Sequence, residues 1–149
     1  MRVYLVVVDE TKEAHVALRF AARRAAKTGG VVNVLALVPK QSFSAFGGIQ
    51  ATIEEEARDR AEVLANAAAG ELMSECGRMP QIAVKTDEKG VVSEYLAEHP
   101  EIAALVLAAA AEGPPGPMVT HFSANSGSLP CPLFIVPGSL TDEQIDRLS

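Results

Sequence analysis

Two stretches of the chain bring together residue types that could bind a ligand. In VVVDET an apolar run ends at Asp9, Glu10 and Thr11. A carboxylate there can accept hydrogen bonds from sugar hydroxyls, and a hydroxyl two residues on can cap the helix that follows. Asp9 suits the capping of a strand end equally well, so its type alone supports both readings. The second stretch is EGPPGPMVTHFSANSGS. Here Gly113 and Gly116 have the spacing of a loop whose backbone N–H groups converge on a phosphate, and Gly127-Ser128 adds a glycine followed by a hydroxyl. Pro114, Pro115 and Pro117 stand where such a cradle needs N–H groups, and proline has none.

Other chemistry finds less support. His15, His99 and His121 fall on separate segments and share no metal-ligand spacing with a cysteine or carboxylate, so no metal site is expected. Ser123 and Ser126 lie near His121, but no Gly-x-Ser-x-Gly elbow precedes a helix, and an enzyme is not expected. Asp9, Glu10 and Asp87 invite comparison with a phosphorylated receiver domain. Its fifth strand should then end in lysine, whereas here it ends in Pro137-Gly138. Cys76 and Cys131 are the only cysteines, too far apart for a zinc motif or a disulfide framework, and read as inert thiols.

The elements that must position these residues follow from hydrophobic pattern. With 149 residues the chain is expected to form one domain over 1–149, with 139–149 as a C-terminal tail. The net charge of −6 and pI near 5.0 come without a basic stripe, so nucleic acid is not an expected partner. Arg19, Arg23 and Arg24 read as a solvated helix face. Apolar runs are too short to cross a bilayer, and MRVYLVVVDE reads as a strand rather than a signal peptide, so a cytoplasmic protein without membrane contact is expected.

VYLVVV, VVNVLALVP, QIAVK, ALVLAAA and LFIVP read as five strands. Between them the pattern predicts a helix from Ala14 to the Gly29-Gly30 stop, a long helix from Thr52 to Cys76 and a short one after Gly90. The loop with Phe43 and Phe46 reads as a flap, a partner patch or two rings folded back on the sheet. Strands alternating with helices predict an α/β fold, a doubly wound, mostly parallel five-stranded sheet. Its ligand crevice lies beyond the carboxyl ends of the strands, at Asp9-Glu10, Val38-Pro39, Thr86-Asp87 and Glu112 to Gly116.

VVVDETKEAHVALRFAARRAA, VNVLALVP, the Gly-x-x-Gly after the fourth strand and the final CPLFIVP resemble, in that order, the universal stress protein (UspA) family over about Arg2 to Gly138. The resemblance implies a Rossmann-like fold, a homodimer and, in many members, ATP binding. On that pattern Asp9 holds the ribose, Thr11 keeps the hydroxyl that follows it, and Val38 lines the adenine. The phosphates go to a Gly-x-x-Gly, a nine-residue spacer and a Gly-Ser or Gly-Thr clamp that starts a helix before the last Cys-Pro. Here ten residues separate Gly116 from Gly127-Ser128, and only Leu129 and Pro130 then precede Cys131. If Gly127-Ser128 is the clamp the helix is missing, whereas if Val119-Thr120 takes its place the glycine is lost. Pro117 also suits the first turn of a short helix, with Gly127 as its stop, from whose start the Gly116 and Met118 N–H groups could point into the pocket. Glu10 and Glu112 add nearby negative charge.

The expected outcome is a stress-response protein whose crevice is a remnant for ATP, binding it weaker than about 100 μM, and suits something smaller or less charged. The alternatives are an intact ATP or AMP site, and a pure interaction module with an unidentified protein partner. The dimer is expected to form through the edges of Leu133 to Val136, with the tail TDEQIDRLS helical against or beyond them.

Overall fold

The computed structural model describes residues 2–39, 47–76, 81–87 and 90–149. Five strands, β1 (Val3–Val8), β2 (Val31–Pro39), β3 (Gln81–Asp87), β4 (Ile102–Ala109) and β5 (Leu133–Pro137), alternate with helices α1 (Ala14–Thr28), α2 (Gly47–Cys76), α3 (Val91–Glu98) and α4 (Pro117–Ala124). A single 3-10 turn at Ser126–Ser128 follows α4, and α5 (Asp142–Leu148) closes the chain. The loop with Phe43 and Phe46 lies outside the described residues.

β1 is apolar throughout because both of its faces are covered. Tyr4, Val6 and Val8 join a core with α1, α2 and α5, while Leu5 and Val7 join a second core with α3 and α4. The sheet order is β3-β2-β1-β4-β5 and every pairing is parallel. The chain therefore winds outward from β1 through β2 to β3, then returns to the other side of β1 for β4. This reversal leaves a gap above β1 and β4 at their carboxyl ends, where the crossovers diverge.

α1 follows its predicted pattern. Ala14, Leu18, Ala21, Ala22 and Ala25 are all buried, and the small alanines bring the helix close to the sheet. Gly29, with φ 70°, ends it in the left-handed turn that glycine tolerates. α2 begins at Gly47, five residues before the Thr52 start that the loop-forming glycines suggested. Gly138 sits where β5 leaves the sheet: its N–H donates to the Ala109 carbonyl at 2.8 Å, and a Cβ there would fall 2.3 Å from that oxygen.

One sequence expectation holds and one is corrected at α5. The tail is helical as expected and packs on α1, with Ile145 fully buried in the core. Its start is fixed by a capping box, in which Thr141 Oγ1 accepts from Gln144 N–H and Gln144 Oε1 accepts from Thr141 N–H. The arginines of α1 are not a solvated face, because α5 supplies them with a carboxylate. Arg19 donates through Nε and Nη2 to the two oxygens of Asp146 at 3.0 and 2.9 Å, and Arg23 Nε lies 3.1 Å from Asp146 Oδ1. Lys27 Nζ donates to the Asp146 carbonyl at 2.6 Å, and the Arg24 guanidinium lies over the Phe134 ring at 5.0 Å.

The hydrogen bonds from Arg19 hold the Asp146 carboxyl below its usual range against a smaller opposing effect of desolvation, and the charges of Arg19, Arg23 and Lys27 add to the shift. A folded-state pKa below the unfolded one gives stability that is complete above the unfolded value, near pH 4, and is lost as pH falls through the folded value. The Tm difference between the wild-type protein and Asp146→Asn is therefore expected to be largest near neutral pH and to shrink below about pH 4. Thermal melts at pH 7 and pH 3 check this, and an undiminished difference at pH 3 would contradict it.

Candidate functional site: a crevice at the carboxyl ends of β1 and β4

A cavity of about 280 Å³ opens at the reversal point, on the α3 and α4 side of the sheet. Its floor is Val7 of β1 with Leu107 and Ala108 of β4, and one wall is Asp9, Thr11 and Glu13 from the turn that leads into α1. The opposite walls are the first turns of α3, with Gly90 to Ser93, and of α4, with Gly116 to Val119, closed by His121 and Phe122.

The first wall is set by an Asx turn. Asp9 Oδ1 accepts from the Thr11 backbone N–H at 3.1 Å and also from the Thr11 hydroxyl. Thr11 is thus spent on Asp9 and does not cap α1. The helix starts only after a further turn, with Glu13 at its N-cap and no side-chain cap bond. Asp9 both stabilises this turn and lines the cavity, which joins the two readings its residue type allowed.

The carboxylates differ from the expected set. Glu10 is drawn away from the cavity by Arg60 of α2, whose Nε donates to Glu10 Oε1 at 2.7 Å. Glu112 is exposed and does not line it either. The acidic side chain that does join Asp9 there is Glu13. Sequence reading missed Glu13 because it assigned the α1 N-cap to Thr11. Among the described residues His121 is the only lining residue able to carry positive charge, since they bring neither lysine nor arginine to the lining.

The phosphate motif is rearranged by where α4 begins. Gly116 is its N-cap at φ 112° and ψ 154°, a conformation that favours glycine, and Pro117 occupies the first helical position, which its fixed φ suits. The helix that precedes Cys131 therefore starts at Gly116-Pro117, the start for which Pro117 is suited, and neither Gly127-Ser128 nor Val119-Thr120 stands at it. Thr120 is exposed on the second turn, with its N–H donating to the Gly116 carbonyl at 3.0 Å. Gly127 and Ser128 lie beyond the far end of α4, where Ser128 Oγ donates to the Asn125 carbonyl at 3.1 Å. Gly113, at φ 71°, shapes the approach to α4 without lining the cavity.

Of the eight residues singled out from the sequence, the cavity lining thus unites Asp9, Thr11 and Gly116. Val38 sits in β2 with its backbone paired to Thr86, and its side chain lies outside the described residues. The first turn of α3 was missed altogether. The available signal was Gly90, a glycine between a strand and a helix, which takes φ 85° as the α3 N-cap. Among the described residues no three metal-ligating side chains converge, and no helix is long and apolar enough to cross a membrane. Cys131 is half-buried, and desolvation pushes its thiol pKa up, which suits an inert packing role.

The family model described as Universal stress protein family matches residues 1–137. The chain belongs to the universal stress protein family. Solved structures agree in fold at low identity. A universal stress protein UspA from Lactobacillus plantarum superposes with a TM-score of 0.75 at 16% identity, covering 91% of this chain and 97% of that one. A universal stress protein in complex with cAMP gives 0.58 at 14% identity, with coverage of 93% and 98%. An Arabidopsis thaliana family member with AMP bound gives 0.61 at 12%, with coverage of 96% and 95%. No curated protein sequence gives a significant match. The universal stress protein fold thus places the cavity at the end of the sheet that the winding of the strands requires.

Proposed function

We propose that this universal stress protein is a non-catalytic, cytoplasmic stress-response protein whose crevice keeps the base and ribose end of a nucleotide site and has weakened the triphosphate end. The observation that carries this reading is Pro117 at the first position of α4. The family pattern places a hydroxyl residue at the start of the helix before the last Cys-Pro, and here that place offers neither a hydroxyl nor an N–H. With Pro114 and Pro115 in the approach, the donors left at the helix start are the N–H groups of Gly116, Met118 and Val119. The relatives bound to cAMP and to AMP support an adenine nucleotide as the ligand type. Asp9, with one oxygen held by Thr11, is oriented to receive a ribose hydroxyl on the other.

Each lost hydrogen bond to a charged phosphate oxygen costs about 1.5–3 kcal/mol, so two weaken binding by roughly a hundredfold or more. Calorimetry on the purified protein is expected to give an ATP affinity weaker than about 100 μM. Micromolar ATP binding would overturn the reading and favour an intact nucleotide site.

A second reading, in which docking rather than ligand binding is the function, draws on β5. It is the last strand of the sheet, and Ile135 remains 41% exposed on it. An uncovered apolar edge is a pairing surface, and we propose that two copies meet there about a two-fold axis. Light scattering at micromolar concentration is expected to report a dimer that Ile135→Lys shifts towards monomer. A monomeric wild-type protein would contradict this.

A further inference from the structure

The described cavity carries information about the charge of its ligand. Its lining brings two carboxylates, Asp9 and Glu13, to one wall and, among the described residues, contains no lysine or arginine. Two helix starts face them, those of α3 and α4. Each helix N-terminus is equivalent to about +0.5 of an elementary charge, so the pair offsets roughly one of the two negative charges. α4 contributes less than a full helix start because Pro117 removes its first N–H. The balance over the described lining is therefore negative, and it opposes a phosphate independently of how many donors the glycine loop keeps.

The remaining surface suits an uncharged guest. Val7, Val92, Leu107, Met118 and Phe122 form an apolar floor and walls on which a flat base can lie. Asp9 Oδ2 has no protein partner among the described residues and is an acceptor for a sugar hydroxyl. The Val91, Val92 and Ser93 N–H groups of the α3 first turn have no intrahelical acceptor, and they can donate to a ring nitrogen or a hydroxyl oxygen as well as to an anion. The volume of about 280 Å³ falls just below that of ordinary ligand cavities, which run from about 300 to 1,000 Å³.

We infer that this cavity selects an uncharged nucleoside, a flat base carrying a sugar with free hydroxyls, over the same nucleoside bearing phosphate. Glu13 is the residue that sets this preference. The inference rests on the reading above that the base and ribose end of the site is retained, and it adds that negative charge is rejected rather than merely unsupported.

The experiment is a calorimetric or ligand-detected NMR titration of the full chain with adenosine, AMP and ATP at pH 8, where an ordinary imidazole is neutral. Adenosine is expected to bind at least tenfold more tightly than AMP, with ATP weaker still. Glu13→Gln is expected to narrow the adenosine-to-AMP ratio at least threefold. Glutamine keeps the side-chain length, and Glu13 makes no cap hydrogen bond for it to lose. AMP binding as tightly as adenosine, or an unchanged ratio in Glu13→Gln, would overturn the inference while leaving the weakened triphosphate end intact. ATP binding more tightly than AMP would instead overturn the underlying reading. No detectable adenosine binding at millimolar concentration would defeat the nucleoside assignment and favour the docking role.

Discussion

The character of the crevice depends on how the chain leaves β4 and enters α4. A helix must start close to the sheet for Val119 and Phe122 to reach the core beside Leu105 and Leu107, and the turn that permits this puts Gly116 at φ 112°. Proline in the next position stabilises the start because its φ is already helical, at the cost of the N–H that an anion would use. Stability of the turn and affinity for phosphate are thus in opposition at one residue. This chain settles the conflict in favour of the turn.

The surroundings of the crevice are held by contacts that are weak singly but decide orientation. The Arg60–Glu10 pair joins half-exposed side chains and contributes at most about 1 kcal/mol to folding. Its structural effect is larger, since it turns one carboxylate of the Asp9-Glu10 pair out of the cavity. On the opposite side of the sheet, α5 lies over α1 through Ile145 and the Arg19–Asp146 fork, which secures α1 from outside. The Asp9–Thr11 turn then leads into a helix whose position is fixed on both sides.

Much of this was legible in the sequence because burial on both faces leaves an unambiguous mark. VYLVVV and VNVLALVP could only be covered strands, and their alternation with alanine-rich helices required a parallel, doubly wound sheet with its crevice near Asp9. What the sequence left open came from local competition. Thr11 could cap α1 or bond back to Asp9, and only the geometry of the Asx turn shows the second. The arginines on α1 are spaced for a solvated face and also for a neighbouring carboxylate, which α5 supplies from more than 120 residues away. In the motif from Gly113 to Ser128 the glycines suggested two phosphate alignments, while Pro117 marked the helix start that falls at Gly116.

The claim that Pro117 blunts the phosphate end is tested most directly by restoring the missing groups at that position. Pro117→Ser returns an N–H and a hydroxyl to the first turn of α4 without adding charge. Its ATP affinity, measured by calorimetry beside that of the wild-type protein, is expected to rise by about tenfold, the equivalent of one recovered charge-assisted hydrogen bond of roughly 1.4 kcal/mol. An ATP affinity equal to that of the wild-type protein in a folded variant would contradict the account.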